Sequence, residues 1–100
     1  MKPPEVLEID PAILRLPSSR RDGADPAKLQ RQIAKHGKSI VNMPPIIVYR
    51  AIDGELVIYE GVTRATRVAK LLPGQLVTVE VVGTTKSRGM RYPTVGEKLP

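Results

Sequence analysis

The stretch richest in chemistry is Tyr59-Glu60-Gly61-Val62-Thr63-Arg64-Ala65-Thr66-Arg67, where a strand passes through a glycine into a helix. The first N–H groups of a helix lack intrahelical partners and sit at the positive end of its dipole. Such a junction is a ready anion site. Gly61 lets an oxyanion approach the backbone closely, Thr63 offers a hydroxyl, and Arg64 can fork onto phosphate oxygens. Gly61, Val62, Thr63 and Arg64 are therefore the candidate phosphate-binding residues. Ala65, Val68, Ala69 and Leu72 follow the spacing of a buried helical stripe. At about 100° per residue, that stripe turns Arg67 and Lys70 toward solvent and leaves Arg64 on the flank, at the rim of a cleft. A purely architectural account, with Gly61 a turn, Thr63 a cap and both arginines solvated, stays open. Glu60 is the one carboxylate beside the junction. It is the candidate catalytic residue, able to hold Mg²⁺ through a water or act as a general base, or simply a solvated strand end.

The elements that must position these residues read as follows. Glu5 to Asp10 is a short edge strand that stops at Pro11. Residues 11 to 24 have a loop composition, rich in Pro, Ser and Arg. Asp25-Pro26 is an N-cap followed by proline at the first helical position, and Gly37 stands where a left-handed C-cap belongs, which predicts a helix over 26–36. His36 falls in its last turn, where its charge suits the dipole. Ile46-Ile47-Val48-Tyr49 lacks alternation and reads as a strand covered on both faces. Asp53-Gly54 predicts a hairpin joining 46–51 to 55–60, with both turn residues tolerant of positive φ. Val62 to Leu72 is the second helix, and Leu76 to Val82 a strand with Val77, Val79 and Val81 on one face. The apolar faces place Ile33, Ile47, Val57, Val68, Ala69, Leu72 and Val79 in the core. Residues 84–100 carry Lys86, Arg88, Arg91 and Lys98 and read as a basic, mobile or partner-bound arm. The order implies one α+β domain over 1–83, with a small mixed sheet and two principal helices.

Composition narrows the chemistry. The chain has 100 residues, no Cys and one His, which leaves no thiolate or His-rich metal centre. Sixteen Lys and Arg against ten Asp and Glu give +6, favouring an anionic partner such as a nucleotide or DNA. Three Tyr with no Phe or Trp make a poor platform for stacking bases. No apolar run approaches the roughly 20 residues that span a bilayer. Met1-Lys2-Pro3-Pro4 does not open a signal peptide, so the expected setting is cytoplasmic, without a membrane partner.

Taken in order, Gly37, Pro45-Ile46-Ile47-Val48, Asp53-Gly54, Tyr59-Glu60-Gly61-Val62-Thr63-Arg64, Ala69-Lys70-Leu71 and the Val77–Val82 strand resemble the ParB/sulfiredoxin superfamily. The likeness is to its ParB-like N-terminal (ParB-like nuclease) domain and covers roughly residues 5–83. It implies that the helix start at Gly61 and Arg64 binds nucleotide phosphates, with Arg20 or Arg21 adding a contact from the loop before the first helix. Arg67 is a further basic residue beside the box. Partition proteins carry an acidic residue and an arginine where this chain has Val62 and Thr63, and a further box arginine falls at Thr66. Val62 also replaces the cysteine that sulfiredoxin chemistry requires, and no helix-turn-helix follows residue 83. Three functions remain from this reading. The first is a binding domain for a nucleotide, with or without Mg²⁺, or for a nucleic-acid phosphate. The second is an enzyme of the ParB-like class: a nuclease, nucleotide hydrolase or phosphotransferase. The third is a non-catalytic interaction module of a plasmid, phage or mobile element, working as a homo-oligomer or with a larger protein partner.

Overall fold

Val77, Val79 and Val81 share one face of the strand Val77–Thr84, and that strand joins the two halves of the sheet. The computed structural model describes residues 4–100; the Met1-Lys2-Pro3 opening, read as no signal-peptide start, lies outside them. Four strands, β1 (Glu5–Ile9), β2 (Ile46–Arg50), β3 (Leu56–Glu60) and β4 (Val77–Thr84), pair in the order β1-β4-β2-β3. The β4–β2 pair is parallel and the other two are antiparallel. The sheet is therefore mixed, with β1 on an edge as its short sequence and following proline suggest. Helix α2 (Val62–Leu71) packs against β2, and α1 (Pro26–His36) packs against α2. The fold is α+β. No helix among the described residues is long and apolar enough to cross a membrane.

Local chemistry sets the element ends. The Asp25 carboxylate accepts the Ala27 N–H at 2.9 Å, Pro26 opens α1, and Gly37 closes it with φ 54°. The hairpin between β2 and β3 has a three-residue loop, closed by the Ala51 N–H on the Glu55 carbonyl at 2.8 Å. Only Gly54 takes positive φ there, at 86°, as in a type I turn followed by a left-handed residue. Asp53 tolerates positive φ but keeps ordinary φ here, and its carboxylate has other work.

The core holds Leu14, Leu16, Ile46, Val48, Ile58, Ala65, Val68, Ala69, Val77, Val79 and Val95. Val68, Ala69 and Val79 were expected there, and Leu72 packs against it half-buried. Ile33, Ile47 and Val57 are only half-buried. In β2 and β3 the inward set is Ile46, Val48 and Ile58, one residue off the expected register. The apolar run in β2 thus hides a real alternation, and the strand is not covered on both faces.

The basic arm expected over 84–100 is instead folded onto the domain. Val95 is 1% exposed, and the Val95 N–H donates to the Leu14 carbonyl at 2.9 Å. Leu14, Arg15 and Leu16 in turn lie between this segment and β3, with Arg15 bridging both Val57 and Thr94. A radius of gyration of 12.7 Å matches the roughly 13 Å of a compact chain this long, leaving no free arm. The missed clue was the pair of leucines in a stretch whose Pro, Ser and Arg content reads as loop.

Candidate anion site

Gly61 caps α2 with φ 114° and ψ 21°, a backbone that side chains rarely adopt. The first helical bond runs from the Ala65 N–H to the Gly61 carbonyl at 2.9 Å. The N–H groups of Val62, Thr63 and Arg64 therefore stand without intrahelical partners, and no side chain caps them. A Cβ at Gly61 would lie 3.0 Å from Arg64 Nη2 and 3.3 Å from its Cζ, so a side chain at this position would press on the guanidinium and push it slightly aside. Arg64 Nη2 also donates to the Pro45 carbonyl at 2.9 Å, which holds the arginine across the junction. Its Nε is buried and has no hydrogen-bond partner among the described residues.

Facing this helix start is a stripe of α1. Lys28, Arg31 and Lys35, spaced three and four apart, share one side of that helix. Together with Gln32, Gly61, Val62, Thr63 and Arg64 they line an open cleft of about 320 Å³. Four cationic side chains and a helix N-terminus converge, and no carboxylate lines the cleft. None of the four cations makes an ion pair among the described residues. Their charge remains available to an incoming anion. The three α1 cations were not among the sequence candidates. Their spacing was visible, but only the packing of α1 on α2 aims them at Gly61.

Arg67 departs most from expectation. It is 1% exposed rather than solvated. Its Nη1 donates to the Gly37 carbonyl at 2.7 Å and the Ser39 carbonyl at 2.9 Å, while Nη2 meets Met43 Sδ at 3.5 Å. Burial pushes its pKa below the ordinary arginine value. The reason for the inversion is the segment after α1, which wraps over this side of α2 and covers what the helical wheel leaves open. Arg67 then serves the C-terminal end of α1, where carbonyls lack partners and the dipole is negative. A smaller cavity of about 270 Å³ lies here, lined by Gln32, His36, Ser39, Asn42, Met43, Arg64 and Arg67 among others. It shares Gln32 and Arg64 with the cleft.

Arg20 and Arg21 line a separate depression formed by residues 18–26, not the cleft. Arg21 lies over the Tyr92 ring at 5.9 Å from its centroid and donates to the Arg91 carbonyl at 3.4 Å. Glu60, the candidate catalytic carboxylate, is exposed and pairs with Ile47 across the sheet. It does not line the cleft. Among the described residues, no group of three or more His, Asp or Glu gathers where it could hold a metal ion. Of the sequence candidates, then, the structure brings together Gly61, Val62, Thr63 and Arg64 and leaves Arg20, Arg21, Glu60 and Arg67 elsewhere. Compared with known protein families and with curated proteins, the chain matches no family model and no curated protein.

Proposed function

We propose that this domain binds phosphate, as part of a nucleotide or of a nucleic acid, in the cleft between α1 and the start of α2. One observation carries the reading: Lys28, Arg31, Lys35 and Arg64 face the same free N–H groups with no carboxylate among them. An oxyanion there would take backbone and hydroxyl hydrogen bonds from the first turn and charge-assisted ones from the side chains. The resemblance of Gly61 and Arg64 to the ParB-like box supports the same ligand class. A cytoplasmic setting, where such phosphates are at hand, belongs to the proposal. Catalysis finds less support, because Glu60 stands away from the cleft and the chemistry on hand there is binding chemistry.

Calorimetric titration with pyrophosphate, a nucleoside triphosphate with and without Mg²⁺, and duplex DNA tests this directly. Saturable binding of at least one, weakened by Arg64→Ala, is the expected result. Binding of duplex DNA alone, with log K falling by about 0.9 per phosphate neutralised as log salt rises, would assign the nucleic-acid form of the reading. No binding of any of the three at low salt would overturn it.

A further inference from the structure

Among the described residues no helix covers the second face of the sheet, and the charge of its strand residues is opposite to that of the cleft. Cross-strand pairing puts Val6, Glu80, Ile47 and Glu60 in one row across all four strands. Glu8 lies beside it on β1, opposite Thr78. Tyr49 and Tyr59, two of the chain's three tyrosines, meet edge to face at 5.3 Å, with Tyr59 65% exposed and Val6 56% exposed. No Lys or Arg of the strands shares this face, because Arg50 falls on the opposite row and pairs with Glu5.

The acids here are distinctive in having little to do within the fold. Of the chain's ten, Glu5, Asp10, Asp25, Asp53, Glu55 and Glu97 bond to an arginine or to backbone N–H groups. That leaves Glu8, Asp22, Glu60 and Glu80. Three of those four sit on the open sheet face, and only Glu8 has a hydrogen bond, from the Thr78 hydroxyl at 3.0 Å. Glu80 and Glu60 flank Ile47 on neighbouring strands, about 10 Å apart. A chain of net +6 thus presents an apolar, aromatic surface whose charged strand residues are all acidic.

We infer that this face docks an amphipathic helix of another protein, one that carries Lys or Arg beside its apolar stripe. A sheet face with apolar side chains is completed by a helical layer, and cations on that helix would neutralise Glu60 and Glu80. A second copy is a poor occupant. Face-to-face pairing would set these acids against one another. Head-to-tail pairing would offer α1 and α2, which themselves expose no large hydrophobic side chain and leave only Val41 and Leu99 at their margins. The inference is independent of the phosphate reading, since the two surfaces share no residue.

The test is an amide chemical-shift titration of the full chain with a synthetic leucine–lysine amphipathic helix, in excess pyrophosphate to occupy the cleft. Expected are shifts at Ile47, Tyr49, Tyr59 and Glu80, and affinity about tenfold weaker in the Glu60→Lys, Glu80→Lys double variant. The exposed Tyr59→Ala variant, whose fold is safer, should also weaken binding. The proposal is overturned by no binding, by shifts confined to α1 and α2, or by equal affinity for a leucine–glutamate helix. Dimerisation through this face in sedimentation would overturn it too.

Discussion

Two regions of this small domain handle charge in opposite ways. Where Arg15 and the C-terminal segment meet the hairpin beside β3, Arg15, Asp53, Glu55 and Glu97 are all answered. Arg15 donates to Glu55 through Nε at 2.8 Å and to the Tyr92 carbonyl at 3.0 Å, while Glu97 accepts from Thr94. Asp53 accepts N–H groups from Gly89, Met90 and Glu55. Between α1 and α2, four cations and three backbone N–H groups face one cleft, and none of those cations meets a carboxylate among the described residues. A saturated network fixes architecture, because each partner's loss leaves the other stranded. An unsaturated cluster of one sign stores no such stability and is free to recognise a ligand. Substitutions should therefore separate the two regions, one reporting in folding and the other in binding.

The largest effect is expected at Val95. An aspartate there would place an unpaired carboxylate beside Leu14 in the core, at a cost of several kcal/mol out of a total of about 5–15. Val95→Asp should lose its cooperative thermal transition by circular dichroism. A wild-type melt would mean that residues 84–100 are an arm after all, and that the saturated region is not structural.

Arg67→Ala comes next and tests whether a buried cation belongs with the architecture. It would strand the Gly37 and Ser39 carbonyls and empty a packed volume, costing about 3 kcal/mol of stability in denaturant titration. Phosphate affinity of the fraction that remains folded should barely change. A stable variant with lost affinity would reverse the assignment and make Arg67 a ligand contact.

Arg64→Ala is the complementary case. A charge-assisted hydrogen bond to phosphate is worth roughly 1.5–3 kcal/mol, so affinity should fall about ten- to a hundred-fold. Lys35→Ala, fully on the surface of α1, should lose roughly 0–1 kcal/mol and lose less as salt rises. Equal losses at the two positions, measured by calorimetry in low and high salt, would indicate a diffuse field and no site at Gly61.

What the sequence made legible follows from how local each signal is. The ends of α1 come from Asp25, Pro26 and Gly37, which act on their own neighbours. Asp25 and Pro26 behave as read, and Gly37 ends the helix where read, though with φ 54° and ψ −123° it lies outside the left-handed helical region. The hairpin at Asp53-Gly54 is equally local. Strand register is less so: Ile46 and Ile47 are the same residue type, and only the packing of α2 decides which turns inward. Arg67 depends on tertiary cover alone. A helical wheel orients side chains relative to their own helix and is blind to a loop arriving from another. The same limit hid Lys28, Arg31 and Lys35, whose stripe was plain but whose target, the start of α2, was not. Half of the candidate site was therefore readable, namely the half that lies within one stretch of chain.

The smallest expected effect is a pH dependence in the saturated region. Backbone N–H groups, that of Met90 foremost with Gly89 and Glu55, hold the Asp53 carboxyl below the usual aspartate value despite some opposing desolvation. Thr94 does the same for Glu97 through its N–H and hydroxyl, with Arg15 and Lys98 adding attraction. A carboxyl whose folded pKa is depressed contributes stability above its unfolded value, and that contribution is lost as pH falls through the folded one. The window therefore opens near pH 4 and runs downward from there. Asp53→Ala should melt below the wild type at neutral pH, and the gap between the two should shrink as the buffer is taken down through and below the ordinary aspartate range. The cleft has no carboxylate and should add nothing to this slope, so Lys35→Ala should track the wild-type curve in parallel. If the Asp53→Ala gap stayed constant down the titration, the charge on that carboxylate would not be what ties the C-terminal segment to the hairpin.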